Sequence, residues 1–246
     1  MKADPFVQLR LLDLQALDSA LGRLAHRRRT LPELPEITRL EGLVAGTRDD
    51  VIQAETAVSD LAREQKKFED DIESVRARKT RDEDRMSSGS ITNSKQLEEL
   101  QHEVQTLTRR QSALEDAELE VMERAEVAQA VLDQLLTDRT THHDARDGAV
   151  VRRDEAWVDI DAELARTAAE RTEVATEIPA DLLALYDKIR SAEGGIGAAP
   201  IERGRCGGCR LDLMNNEKAD YRAAPVDEVL RHDCGRILVR TAESGL

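Results

Sequence analysis

Met86-Ser87-Ser88-Gly89-Ser90-Ile91-Thr92-Asn93-Ser94 interrupts two long tracks of apolar residues, and how it is read decides the fold. Before it, Ile37, Leu40, Val44, Thr47, Val51, Ala54, Val58, Leu61, Gln65, Phe68, Ile72 and Val75 follow one another at alternating steps of three and four. After it the same rhythm resumes with Leu97, Leu100, Val104, Leu107, Gln111, Leu114, Glu118, Val121, Ala125, Ala128, Leu132 and Leu135. Such spacing keeps one narrow apolar seam facing a partner helix, the pattern of a coiled coil. The small and polar residues between the tracks stop the helix, and Ser94 or Asn93 is placed to cap the one that follows.

Outward from this point the two arms match. Residues 4–84 make 81 positions and residues 95–178 make 84. Equal arms favour an antiparallel hairpin folded within one chain over a parallel dimer; at 1.5 Å per residue it would be on the order of 120 Å long. The outgoing arm opens with Asp4 as cap and Pro5 in the first turn, and its stripe is Val7, Leu14, Leu17, Leu21 and Leu24. Leu31-Pro32-Glu33-Leu34-Pro35 should bend it, because each proline removes a backbone donor and crowds the preceding turn. The returning arm slips phase between about Arg139 and Val150, a stutter, before Val150, Trp157, Ile160, Leu164, Val174 and Ile178 carry the stripe to Pro179.

Composition agrees. Aromatics are 2% and charged residues 35% of the 246 positions, too few large apolar side chains for a big globular core. The net charge is −14, yet residues 201–246 hold eight basic and eight acidic side chains, leaving 28 against 42 in residues 1–200. The acidic excess belongs to the helices, so contact with nucleic acid would need a local patch. No stretch reads as a secretory signal or a membrane anchor, and the expected location is the cytoplasm.

The remaining chemistry lies at the other end. All the cysteines fall in the last forty-one positions, as Cys206-Gly207-Gly208-Cys209 and His232-Asp233-Cys234. Three soft thiols and an imidazole in two knuckles are the donor set of a closed, tetrahedral structural zinc site. A second C-x2-C pair would put its first ligand at position 231, where Arg231 stands; His232 is the natural substitute, with Asp233 or a solvent ligand as the alternative. Arg236-Ile237-Leu238-Val239-Arg240 reads as a strand of alternating exposure beside the second knuckle. The chain thus divides into a helical hairpin over 1–178 (bend near 31–35, tip near 86–94), a short helix and glycine-rich linker over 179–200, and a small β zinc ribbon over 201–246.

Ser88 to Lys95 at the tip, Pro179 to Leu183, and Asp227 to Arg240 in the ribbon together resemble the bacterial C4-type zinc-ribbon proteins with a long N-terminal coiled coil, a group well represented in actinobacteria. The resemblance spans nearly the whole chain and implies a helical hairpin joined to a ribbon. It also implies a nucleic-acid-binding or regulatory adaptor, some relatives being tied to sigma-factor and flagellar regulation. The chain departs from the pattern where Arg231-His232 replace the fourth cysteine.

Candidate contacts follow from exposure and charge. Arg203, Arg205, Arg210, Arg222, Arg231, Arg236 and Arg240 are available to nucleic acid or to an acidic partner, although eight acids balance them and only Tyr221 is at hand to stack on a base. At the tip, Ser90, Ile91, Thr92 and Asn93 are candidate protein contacts, since a plain reversal needs no Ile91. His26-Arg27-Arg28-Arg29 suits a helix C-terminus, with contact to phosphate or an acidic partner as the alternative. His142 and His143, adjacent on a helix, point about a hundred degrees apart and cannot share a metal. No nucleophile elbow, phosphate loop or metalloprotease helix is present, so the expectation is a non-enzymatic adaptor; the rival is a purely protein–protein scaffold without nucleic-acid contact.

Overall fold

A computed structural model describes residues 1–89 and 91–245. The chain is mainly α: an antiparallel coiled-coil helical hairpin with a small C-terminal sheet. Helix α1 runs Pro5–Arg29, α2 Glu33–Ser87, α3 Ser94–Thr176, α4 Ala180–Ala192 and α5 Asn215–Ala223; the strands are β1 Ala198–Glu202, β2 Arg205–Cys206, β3 Leu230–Arg231 and β4 Ile237–Val239. They form two compact units, residues 1–34 with 151–246, and residues 35–150.

In the unit of residues 35–150, all twelve stripe positions of α2 and all twelve of α3 are buried or half-buried. Cross-helix pairs fix the antiparallel register: Glu64 with Arg124, Arg76 with Glu115, and Thr47 with His142, whose Nδ1 lies 3.0 Å from the Thr47 hydroxyl. That hydroxyl also donates to Leu43 O at 2.8 Å, so the polar side chain in the seam is satisfied. Helix α3 passes unbroken through the stutter. There the fully buried residue is Ala149, packed on Ile37 and Leu40, with Val150 beside it.

At the tip, of the two residues placed to cap α3, Asn93 does so: its Oδ1 accepts from the Lys95 amide at 2.9 Å. Ile91 is half-buried, and Thr92 and Asn93 are exposed. Ser90 lies outside the described residues.

In the other unit, Asp4 caps α1 by accepting from the Phe6 amide at 2.8 Å, with Pro5 in the first turn. Helix α1 pairs with the end of α3 through Arg10–Glu177, Asp18–Arg171 and Arg28–Asp161. Trp157 is held between the guanidinium groups of Arg28 and Arg153, 4.7 and 4.6 Å from the ring centre, and donates to Arg28 O at 3.2 Å. Arg28 is thus engaged with the hairpin itself.

The strands join in the order β2-β1-β4-β3, with β1 and β4 parallel and the outer pairs antiparallel. β1 begins at Ala198, inside the segment that sequence assigns to the linker. β4 differs from expectation: Ile237, Leu238 and Val239 are all within 1% of full burial. Its alternation is between two cores, not between core and solvent. Ile237 and Val239 join Leu11, Leu14, Leu182 and Tyr186 from α1 and α4, whereas Leu238 joins Ala199, Ile201, Cys206, Leu213 and Leu230 on the opposite face. The N-terminus closes this unit, the Ala3 amide donating to Asp227 O at 2.7 Å and the Val229 amide to Met1 O at 3.1 Å.

Candidate metal centre

Both knuckles hang from the sheet. β2 ends at Cys206 and leads into Gly207-Gly208-Cys209; the turn from β3 to β4 carries His232 and Cys234. In the first, the Arg210 amide donates to Cys206 O at 2.8 Å and Arg210 takes a left-handed φ of 65°. In the second, the Gly235 amide donates to His232 O at 2.8 Å and Gly235 takes φ 85°. Arg210 therefore sits in the backbone state that glycine adopts freely and an L-side chain adopts at a cost.

The two glycines of the first knuckle have a reason in space, not in turn geometry. A Cβ on Gly207 would come within 3.0 Å of Pro200, and one on Gly208 within 2.6 Å of Arg236 Cδ. The knuckle is pressed between β1 and the Arg236 side chain.

One donor atom from each of Cys206, Cys209, His232 and Cys234 lies within 4.8 Å of the others. Cys206 Sγ and Cys234 Sγ are 4.0 Å apart, and Cys209 Sγ is 3.6 Å from His232 Nδ1. Bond lengths of about 2.3 Å to sulfur and about 2.0 Å to nitrogen around a tetrahedral centre imply edges of about 3.8 Å between sulfurs and about 3.5 Å between sulfur and nitrogen. The residues fit a four-coordinate metal ion, and His232 faces the cluster beside the three thiols. The tight H-x-C spacing is met by the turn itself, which also brings the Cys234 amide to 3.3 Å from His232 Nδ1.

Burial pushes the Cys206 thiol up to about 11. Burial also acts against the Cys234 thiolate, but hydrogen bonds from the Arg236 amide, His232 and the Arg236 side chain outweigh it and bring that thiol down to about 6. The second knuckle thus favours an anionic sulfur, the state in which a thiol binds metal.

The seven arginines do not form one open patch. Arg240 donates to Pro225 O, Tyr221 O and Ala224 O, closing the C-terminal end of α5. Arg205 pairs with Asp212 at 2.6 Å, Arg231 donates to Gly235 O at 2.9 Å, and Arg236 is drawn inward to Glu193 O at 2.7 Å. Only Arg203, Arg210 and Arg222 stay exposed with no such tie among the described residues. Tyr221 is not a free stacking platform: its ring packs on the second core and its hydroxyl donates to Arg231 O at 2.9 Å.

Sequence reasoning missed the polar interior near this site. Gln8, Gln15 and Asp18 of α1 are buried. The Gln15 amide accepts from the Gly197 amide at 2.7 Å and donates to Gly195 O at 3.0 Å, gripping the turn that leads into β1. The available signal was their spacing, since 8, 15 and 18 fall on the same helical face as Leu11 and Leu14.

Fold and donor set define the class: a helical-hairpin protein that carries a Cys3His cluster on a small mixed sheet. A family model described as the CT398-like coiled coil hairpin domain matches residues 14–194, and the chain belongs to that family. It is 37% identical over 243 residues to an uncharacterized protein of Mycobacterium tuberculosis, covering 98% of each chain. A solved structure from Mycobacterium smegmatis superposes with a TM-score of 0.85 at 36% identity, covering 98% of this chain and 100% of that one. CT398 from Chlamydia trachomatis shares the fold with a TM-score of 0.68 at 18% identity, over 96% of this chain and 98% of its own. No described helix is long and apolar enough to cross a membrane.

Proposed function

We propose that the protein is a non-enzymatic adaptor whose C-terminal sheet is a zinc ribbon, with Zn2+ held by Cys206, Cys209, His232 and Cys234. The observation that carries this reading is the convergence of those four donors at tetrahedral spacing. Three thiolates and an imidazole fill the coordination sphere, so the ion braces the fold and leaves no open position for a reacting water. Three unpaired thiols suit a reducing compartment, and the protein acts in the cytoplasm.

The hairpin offers an extended surface to a protein partner, and that partner belongs to transcription or RNA handling. Any nucleic-acid contact would run through Arg203, Arg210 and Arg222. A second reading, a protein–protein scaffold with no nucleic-acid contact, draws support from the internal ties of Arg205, Arg231, Arg236 and Arg240.

Two measurements test this. Protein purified without added metal should contain one zinc per chain, and X-ray absorption should report three sulfurs and one nitrogen; no metal, or an oxygen-rich shell, would end the zinc reading. Binding to RNA, DNA and polymerase components at physiological salt should give a saturable complex that Arg203, Arg210 and Arg222 changed to Gln abolish. A protein complex insensitive to that triple change selects the scaffold.

A further inference from the structure

Arg236 stands where three parts of the fold meet. Its Nη2 donates to Glu193 O at the end of α4 at 2.7 Å, and its Nη1 lies 4.0 Å from the Glu193 carboxylate. The side chain is only 14% exposed, and its Nε is buried with no acceptor among the described residues. On the other side its stem passes close over the first knuckle, so that a Cβ on Gly208 would stand 2.6 Å from Arg236 Cδ. The Arg236 carbonyl, inside the second knuckle, accepts from the His232 amide at 3.0 Å. Glu193 in turn lies against the second knuckle, within 3.2 Å of where a Cβ on Gly235 would stand.

A divalent ion with three thiolates and a neutral imidazole leaves one net negative charge among residues that are buried or half-buried, and such charge calls for compensation. Guanidinium is the side chain that supplies a permanent positive charge with several directed donors. Donors to the ligand sulfurs from outside the coordination sphere orient the ligands and govern how firmly the metal is held.

We propose that Arg236 is the positioning residue of the metal centre: it clamps both knuckles to each other and to the end of α4, and thereby sets how slowly the metal leaves. This rests on the zinc reading above. Metal release and loosening of the α4 terminus are then one event, because the same side chain holds both.

The test uses the full chain, loaded with zinc, as wild type, Arg236→Gln, Arg236→Lys, and Arg222→Gln as a control for loss of an exposed charge from the same region. Zinc transfer to an excess of a chelating dye gives the release rate, and cobalt(II) substitution gives the thiolate-to-metal charge-transfer band. Arg236→Gln should release zinc about tenfold to a hundredfold faster than wild type and shift the cobalt band. Arg236→Lys, which keeps the charge but loses the fork of donors, should fall between, and Arg222→Gln should match wild type. If Arg236→Gln does not fold, the Lys variant decides alone: release faster than wild type supports the clamp. Wild-type release rates and an unshifted cobalt band in the folded Arg236 variants would overturn the proposal and leave the zinc reading standing. A wild-type protein that holds no metal would overturn the zinc reading itself.

Discussion

Tyr186 donates a hydrogen bond to the Asp18 carboxylate at 2.7 Å across 168 positions of sequence, and neither side chain is more than a few per cent exposed. Arg171 and Arg190 reach the same carboxylate at 2.8 and 3.2 Å. Burial, then the bond to Asp18, pushes the tyrosine hydroxyl well above its usual range, so it stays a donor at any physiological pH. Asp18→Ala should destabilise the fold by about 3 kcal/mol, since Tyr186 then loses its buried acceptor and Arg171 and Arg190 are left with Asp187 alone as counter-charge. Tyr186→Phe should cost about 1 kcal/mol, one hydrogen bond. Urea unfolding of the two variants checks the order of the effects, and a neutral Asp18→Ala would refute the role given to this network.

Gly197 is the tightest point of the first core. A Cβ there would sit 2.7 and 2.8 Å from the Tyr186 ring and 2.8 Å from its carbonyl oxygen. The ring is fully buried and cannot swing away. Gly197→Ala should therefore cost about 3 kcal/mol by overpacking, measured as a fall in the thermal midpoint, whereas Gly46→Ala, with nothing within 4 Å, should be neutral or slightly stabilising.

Arg210 offers the opposite sign. At φ 65° it occupies the state that Gly235 occupies in the second knuckle, and Arg210→Gly should stabilise the C-terminal region by about 1 kcal/mol. If Arg210 also meets an anionic partner, the same change should weaken that complex. Thermal unfolding and binding at two salt concentrations read the two effects separately.

Acid should reach the base of the hairpin late. The Arg10 guanidinium donates to Glu177 at 2.7 Å and holds that carboxyl below its usual value near 4.5. A carboxyl depressed in the folded state stabilises the fold above its ordinary pKa and loses that contribution as pH falls through the lowered value. The stability difference between wild type and Arg10→Gln should thus stay level from neutral pH to about 4.5 and shrink below it. A difference that vanished already at pH 6 would exclude this pair as its source.

Much of the helical architecture could be read from side-chain period alone. Ile37 to Val75 and Leu97 to Leu135 are covered along their whole length because a two-helix seam has one solution to burying every third or fourth residue. The cysteine knuckles were equally readable, since donor type and spacing limit what those residues can do. What stayed hidden depended on tertiary partners. Gln8, Gln15 and Asp18 look solvent-facing until the β1 turn, Tyr186 and Arg171 are supplied from more than 150 positions away. Arg236 and Arg240 looked like surface cations because sequence does not show which carbonyl groups or sulfurs lie within their reach. Ala149 was overlooked in favour of Val150 because a pattern of large residues cannot register a place where a small one lets two helices approach.

The division of the chain into units has a consequence for its birth. Residues 1–34 belong with 151–246, while 35–150 pair with themselves. During synthesis the middle segment can zip as soon as its second half emerges, but the face of α1 bearing Gln15 and Asp18 must wait for Arg171, Tyr186 and Gly197, made more than 150 positions later. The newborn chain therefore carries an unshielded α1 until those partners emerge, a window in which a chaperone would find its footing.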